Sequence, residues 1–204
     1  IYQDVPSGEC SGCTACCNES VNVSFIEFLN ILVHKEDVLD NPRIQGKMLK
    51  YSLLELVKPM ACPFLNDDKR CDIYAYRPLP CRLFGNSTKK AYQENYEEVK
   101  RQNLIFAKDI NRTHGLRLPK AVTHHKIDFC KTFQSTNPLS IVEIKGFYDR
   151  LIHMDSQFYF KGLSDDRFSA RDVVGLFTAY FFEKEKPYFL SKDDIVRLRY
   201  DALE

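Results

Sequence analysis

The sequence lacks tryptophan, has only 8 glycines in 204 residues, and contains no apolar run near the roughly 18 residues that a membrane-spanning helix needs. We therefore expect no transmembrane helix. No G-x-G-x-x-G, P-loop, G-x-S-x-G or H-E-x-x-H pattern occurs. The sequence thus indicates no standard nucleotide cradle, serine-hydrolase nucleophile or zincin site.

A surplus of charge of either sign is also missing. The 29 basic and 28 acidic residues leave a formal net charge of +1. Nucleic-acid binding is driven by basic residues that release counterions, so we expect no nucleic-acid partner. A protein substrate or protein partner stays open, and the pattern indicates no particular oligomeric state.

The cysteines of the chain have an unusual arrangement. Eight cysteines occur, four of them within eight residues, at Cys10, Cys13, Cys16, Cys17, Cys62, Cys71, Cys81 and Cys130. A C-x-x-C step lets two sulfurs converge on one centre. Small secreted domains use cysteines as disulfides because their cores are small, whereas this chain is long enough to fold on a core. We therefore predict metal ligation by all eight cysteines rather than disulfides, and a cytoplasmic location, where thiols stay reduced.

The hydrophobic pattern predicts a mostly α fold, a single helical domain with an irregular cysteine-rich metal-binding region. Helices are expected over about 25–35, 48–58, 88–111, 140–158, 168–184 and 192–203, with Ser24/Glu27 and Ser140/Glu143 as capping boxes. Asn41-Pro42 is expected to break helix, and prolines at 63, 78 and 80 prevent a long helix there. We divide the domain into a cysteine-cluster region, 1–134, and a C-terminal helical region, 135–204, packed on it.

Thiolates suit two kinds of centre, an iron–sulfur cluster or Zn²⁺. Eight thiols are enough for two four-thiolate sites or for one site with spare thiols, and the spacing leaves both open. Arg70, Arg77 and Arg82 flank the later cysteines. A four-thiolate centre is negatively charged, so these arginines either compensate that charge or form ordinary surface ion pairs.

The joint pattern resembles a known family. CxxCxxCC is followed by Val-x-Val-Ser-x-x-Glu, Cys-Pro-Phe-Leu, Cys-x-Ile-Tyr and Arg-Pro-x-x-Cys-Arg, over about residues 10–84. This is similar to the cysteine-cluster family of zinc- or iron-chelating domain proteins, which includes the flagellin lysine-N-methylases. Phe129-Cys130 resembles a further family cysteine. The resemblance implies metal binding, and its lysine methylases favour a [4Fe–4S] cluster over zinc.

The biological role is less constrained than the metal site. His124-His125, with Asp128 and Cys130, forms either a ligand or acid–base group or an ordinary polar loop. Three roles stay open: a metalloprotein of unspecified role, a protein-modifying enzyme resembling lysine N-methylase, and a non-catalytic zinc interaction module. Catalytic and cofactor-binding residues beyond the metal ligands are not indicated.

Overall fold

The computed structural model describes residues 1–18 and 21–161, with only the backbone of residues 52 and 159. Its helices confirm the mostly α prediction. The described helices are α1 (Phe25–His34), α2 (Glu36–Leu39), α3 (Pro42–Leu54), α4 (Leu79–Leu83), α5 (Lys89–His114), α6 (Lys120–Thr123) and α7 (Ile141–Phe160). The helices expected at 168–184 and 192–203 lie outside the described residues. No helix in the described ranges combines the length and apolar character needed to cross a membrane.

Two capping boxes begin helices as the sequence predicts. Ser24 accepts a hydrogen bond from the Glu27 backbone, and the Glu27 side chain accepts one from the Ser24 backbone, at the start of α1. Ser140 and Glu143 make the same exchange ahead of α7. Each exchange satisfies backbone N–H groups that have no partner within the helix.

The predicted break at Asn41-Pro42 is confirmed, because α2 ends at Leu39, and Pro42 also begins α3. The Asn41 side chain accepts a hydrogen bond from the Arg43 backbone, and Pro42 occupies the first turn. Proline is tolerated at that position because its missing N–H would have no partner in the helix anyway. The helix predicted over 48–58 therefore begins six residues earlier and ends at Leu54.

Two apolar clusters hold the helices and the cysteine loops together. The first joins α1, α2 and α3 to Phe64 and Ile73 of the cysteine-rich segment, and Cys62 and Cys71 pack against its edge. The second joins α4, α5 and α7 through Leu79, Leu83, Ala91, Leu139, Ile144, Phe147 and Leu151. The irregular region is thus anchored to helices on both of its sides.

A small antiparallel sheet joins the two ends of the described chain. Strand β1 (Gly8–Glu9) pairs with β2 (Gln134–Ser135), in the register Gly8 to Ser135 and Glu9 to Gln134. The Phe133 ring fills the space beside Gly8 and Gly85, where a Cβ on either glycine would overlap it. Phe133 therefore packs the segment before β2 against the N-terminal strand and the turn after α4.

We expect Gly85→Ala to lower the free energy of unfolding by about 2 kcal/mol, because overpacking costs about 1–3 kcal/mol. A Cβ at residue 85 would lie 2.5 Å from Cγ of Phe133, and that ring has no free end to move aside. The matched control is Gly46→Ala, in the exposed interior of α3 with nothing within 4 Å of the new Cβ. Gly46→Ala is expected to raise the free energy of unfolding by about 0.5–1 kcal/mol. Urea denaturation measures both, and equal stability of the two variants would contradict the packing role of Phe133.

Candidate metal centre

The N-terminal cysteine run is a tightly curled loop that ends in a short 3-10 turn at Ala15–Asn18. Gly12 and Thr14 both have left-handed backbone, with φ of 72° and 62°. Thr14 carries a β-branched side chain in this region, which costs about 1–2 kcal/mol. The curl brings the Gly12 N–H to 3.4 Å from Sγ of Cys10. A backbone hydrogen bond from Ala15 likewise reaches the Cys13 thiol and lowers its pKa.

The second cysteine segment repeats this local arrangement. Backbone hydrogen bonds from Phe64 and Ile73, each two residues after a cysteine, reach the thiols of Cys62 and Cys71. A turn at residues 66–70 and a bridge from Leu65 to Cys71 hold the segment folded back on itself. Amide donors directed at sulfur stabilise thiolate charge, so the backbone on both segments is arranged for ionised sulfur.

Four of the cysteines from these segments are mutual neighbours, and we call them the inner thiols. They are Cys16, Cys62, Cys71 and Cys81. The backbone N–H of Cys62 donates to the carbonyl of Cys17 at 2.6 Å, which joins the two segments directly. In all six pairs of inner thiols, the negative charge of one sulfur raises the pKa of the other. Sulfurs from four separate positions of the chain therefore lie near one another.

The inner thiols resist ionisation when no cation is present. Burial raises the pKa of Cys62 to about 12 and raises the pKa of Cys81 well above its usual range. Burial also raises the pKa of Cys71. The pKa of Cys16 is raised mainly by a hydrogen bond with Cys17 and secondly by burial. Neighbouring thiolates repel one another, and a metal cation is what allows such a group to deprotonate together.

Arg77 tests whether a metal–thiolate centre fits this place. Its charge lowers the pKa of both Cys71 and Cys81, so the guanidinium lies close to the inner thiols. Its Nε is buried and has no hydrogen-bond partner among the described residues, while the guanidinium carbon lies 3.8 Å over the Tyr74 ring. A buried donor without an acceptor is costly. A negatively charged four-thiolate centre would supply that acceptor, so the residues present fit the group.

Arg82 has a different environment from Arg77. Its Nε donates to the Arg77 carbonyl at 2.9 Å, a second nitrogen donates to the Ala75 carbonyl, and the guanidinium lies over the Tyr2 ring. Arg82 therefore stabilises the backbone of the loop that carries Arg77 and Cys81. Of the two interpretations of the flanking arginines, charge compensation suits Arg77, whereas Arg82 supports the backbone.

The inner thiols interact electrostatically but do not form a closed metal site in this structure. Within residues 1–18 and 21–161, no group of three or more His, Cys, Asp or Glu side chains is gathered closely enough to hold a metal ion.

Two further cysteines, Cys13 and Cys130, lie beside one threonine, and we call them, together with the exposed Cys10, the outer thiols. The Thr132 hydroxyl lies 3.8 Å from Sγ of Cys13 and 3.8 Å from Sγ of Cys130. Ser11 donates to the same hydroxyl at 2.9 Å. The pairing of β1 with β2 places Cys10, the residue after β1, beside this group. Cys17 belongs to neither set, and its side chain is hydrogen-bonded to Cys16.

The histidine group predicted from sequence is divided by the structure. His124 is exposed and its Nδ1 lies 2.8 Å from the Thr123 hydroxyl. Asp128 is exposed and pairs with Lys126 at 3.9 Å. His125 differs, because its Nε2 is buried and has no hydrogen-bond partner within the described part of the chain. Only His125 therefore has the environment of a functional residue.

A cavity of about 1060 Å³ lies beside the inner thiols. Cys16 and Cys81 line it at one end, and His125 is also part of the wall. One face of α5 supplies a large part of the lining, namely Tyr92, Asn95, Tyr96, Val99, Gln102, Asn103 and Phe106. Sequence reasoning missed this cavity. The signal was the helical i, i+3, i+4 spacing of tyrosines and carboxamides on one face, which carries too few apolar residues for an ordinary core.

Comparison with known proteins gives one match. The sequence profile of the CxxCxxCC family, described as "Putative zinc- or iron-chelating domain", matches residues 9–102. Neither the curated proteins nor the solved structures that were compared gave a match. The matched range contains seven of the eight cysteines, including all four inner thiols, and excludes Cys130. The resemblance seen in the sequence is thereby confirmed, because residues 9–102 of this chain match the CxxCxxCC family model.

Proposed function

We propose that the chain binds a [4Fe–4S] cluster through the inner thiols. The observation that supports the proposal is the mutual proximity of four half-buried sulfurs from separate positions, beside an Arg77 Nε that has no partner among the described residues. An all-thiolate donor set is what iron–sulfur clusters and structural zinc both use. The domain family is consistent with either metal.

Two features favour a cluster over a single zinc ion. Backbone hydrogen bonds from Phe64 and Ile73 to ligand sulfurs are a known means of adjusting the potential of a cluster. The resemblance to the lysine methylases points the same way.

The residues around the proposed cluster have separable roles. The inner thiols hold it, the amides of Phe64 and Ile73 stabilise charge on two of the sulfurs, and Arg77 neutralises part of the remaining charge. When bound, such a cluster supplies one-electron transfer or a Lewis-acidic iron. All eight cysteines lie within the described residues and are free thiols, which supports a reducing compartment, the cytoplasm.

We expect Cys16→Ser to abolish metal binding and Cys17→Ser to leave most of it. The two residues are adjacent, but only Cys16 belongs to the inner thiols, so the pair is internally matched. Protein purified anaerobically is assayed for iron, acid-labile sulfide and zinc, and for visible absorption. Iron and sulfide near four per chain support the cluster, whereas one zinc per chain would replace it with a structural zinc site. Equal metal loss in both variants would contradict the assignment of ligands.

A second candidate function is a protein-modifying enzyme resembling lysine N-methylase. The cavity that favours it begins at two of the inner thiols, Cys16 and Cys81, and has the size of a small-molecule site. A methylase needs to bind S-adenosylmethionine, and isothermal titration calorimetry on the metal-loaded protein measures this. Absence of binding, together with stoichiometric zinc, would favour the non-catalytic interaction module instead.

A further inference from the structure

The outer thiols include a pair of cysteines that the proposed cluster does not use. We propose that Cys13 and Cys130 form a reversible disulfide with each other, by exchange with a small-molecule disulfide such as oxidised glutathione. Neither residue is an inner thiol, so the inference goes beyond the proposed cluster and does not rest on it. Metal ligation by these two cysteines, as the sequence predicts, is the alternative that the experiment must exclude.

The pairing of β1 with β2 sets a register that continues beyond the two strands. In antiparallel pairing, one step forward on one segment is one step back on the other, so opposite residues keep a constant sum of residue numbers. The strands follow this rule. Ser11 and Thr132 continue it, and the Ser11 hydroxyl donates to the Thr132 hydroxyl at 2.9 Å. Two residues further on, the same register places Cys13 opposite Cys130.

The contacts of Thr132 confirm that the two sulfurs are neighbours. Its Oγ1 lies 3.8 Å from Sγ of Cys13 and 3.8 Å from Sγ of Cys130, so the sulfurs are at most twice that distance apart. Opposite residues of an antiparallel pair are about 4.5–5.5 Å apart at Cα, within the range that a disulfide bridges. Rotation of the two side chains about their Cα–Cβ bonds would displace the hydroxyl and let the sulfurs meet.

Cys10 is the competing partner for Cys13, and it belongs to the other face of the paired segments. Successive residues of an extended chain point to opposite faces. A Cβ at Gly8 would meet the Phe133 ring, so Cys10, two residues later, falls on the face of that ring. The Cys10 sulfur also accepts the Gly12 N–H at 3.4 Å. The register therefore favours the long-range pair over the local C-x-x-C pair.

The surroundings of the two thiols give the order of the exchange. Cys13 is exposed, and its sulfur accepts hydrogen bonds from the Ala15 backbone and the Thr132 hydroxyl, which favour a thiolate. This thiolate attacks one sulfur of oxidised glutathione, forms a mixed disulfide and releases one glutathione thiolate. The half-buried Cys130 then loses its proton to solvent and attacks the mixed disulfide at the Cys13 sulfur. The second glutathione leaves, so the two protein thiols are oxidised and the glutathione disulfide is reduced.

The disulfide would tie the matched domain to a segment outside it. The family profile ends at residue 102, whereas Cys130 follows α5 and α6. The link would also restrain the curled loop that carries Cys16, an inner thiol three residues after Cys13. Disulfides in reducing compartments are usually transient and redox-sensing. The pair is therefore proposed as a redox-dependent modification site beside the metal centre.

The test treats the purified, metal-loaded chain anaerobically with oxidised glutathione, followed by acid quenching, alkylation, digestion and mass spectrometry. We expect one pair of peptides joined between Cys13 and Cys130, and dithiothreitol should separate them. Iron and zinc are measured before and after the reaction and should not change. A metal-free sample that still forms this link would contradict the cluster proposal alone.

Three serine variants test the assignment of roles. Cys130→Ser lacks the second thiol and should accumulate glutathione on Cys13 as a mixed disulfide. Cys13→Ser lacks the attacking thiol and should leave Cys130 largely unmodified. Cys10→Ser is the matched control, because Cys10 is also an outer thiol, and it should form the link as the unmodified chain does.

Four results would overturn the inference: no link, a link between Cys10 and Cys13 instead, loss of metal in step with the link, or equal effects of Cys10→Ser and Cys130→Ser. Circular dichroism shows whether the variants keep the helical fold. If they do not, timed alkylation of the unmodified chain is the second measurement. Oxidised glutathione should protect Cys13 and Cys130 together, and protection of only one of them would contradict the pair.

Discussion

Removal of the proposed metal is expected to loosen residues 60–86 more than any other described segment, while α5 and α7 stay folded. Structural zinc sites in small peptides contribute about 10–16 kcal/mol of apparent binding free energy, and binding is coupled to folding. Here the segment between α3 and α5 has three short helical turns and an isolated bridge as its regular structure. With the proposed metal bound, its cysteines would hold it together through a shared cation. We therefore expect a loss of several kcal/mol, concentrated in this segment.

Hydrogen–deuterium exchange measures this loss segment by segment. Treatment with a chelator under reducing, anaerobic conditions should increase exchange in residues 60–86 and change little in α5 and α7. Cys16→Ser, which should hold no metal, is the control and should not respond to the chelator. Unchanged protection of the cysteine segment after complete metal removal would show that apolar packing of Phe64 and Ile73 is sufficient to hold it.

Glu27→Gln is expected to lower the free energy of unfolding by about 3 kcal/mol. The Glu27 side chain is buried and accepts four hydrogen bonds. The donors are the Tyr2 hydroxyl at 2.7 Å, the Leu79 backbone at 2.6 Å, and the backbone and hydroxyl of Ser24. Hydrogen bonds to a charged acceptor contribute about 1.5–3 kcal/mol, and an amide NH₂ in this place would face donors.

Glu143→Gln is the matched control for Glu27→Gln. Glu143 makes the same capping-box contacts with Ser140, at 2.7 and 2.8 Å, but it is exposed and receives nothing from a distant segment. Glu143→Gln should lower the free energy of unfolding much less, because water can accept the hydrogen bonds from Ser140 that the amide NH₂ cannot accept. Urea denaturation of both variants gives the comparison. Equal losses would mean that local capping alone, and not the link from α1 to α4, sets the contribution of Glu27.

These two glutamates also show what the sequence could and could not predict. Both capping boxes follow from S-x-x-E ahead of an apolar period, and both are present, because a cap depends on residues only three positions apart. The bond from the Leu79 backbone to Glu27 joins residues 52 positions apart, and no local pattern encodes it. Helices were therefore predictable, whereas the contacts that orient them were not.

The same distinction between locally encoded features and long-range contacts applies to the metal site. That eight cysteines bind metal is a prediction from spacing and family resemblance, supported by the domain match at residues 9–102. Their grouping into inner and outer thiols was not predictable, since Cys16 and Cys17 are adjacent and yet differ. The structure distinguishes them, because the Cys16 thiol interacts with Cys62, Cys71 and Cys81, whereas Cys17 is hydrogen-bonded to Cys16. Which thiols hold metal stays a prediction for the serine variants to test.

Asn41-Pro42 and His125 show two other limits of sequence reasoning. The dipeptide interrupts the helices as predicted, but the start of α3 at Pro42 was missed, since a proline is also favoured in the first turn of a helix. The second needed tertiary structure, because nothing in the dipeptide His124-His125 distinguishes the exposed ring from the buried one. The cavity that surrounds His125 combines faces of α3, α5 and α7, and its polar character becomes visible only when these are together.

The pairing of β1 with β2 has a consequence for the order in which the protein forms during synthesis. The inner thiols are all present once residue 81 has left the ribosome. The outer thiols cannot assemble until Cys130 and the strand at 134–135 have emerged, more than 120 residues after β1. Contacts between such distant residues form late because the loop between them must first close. A nascent chain that binds metal through the inner thiols would therefore do so before β1 pairs with β2. During that interval Cys10 and Cys13 would stay accessible to reaction with other thiols in the cell.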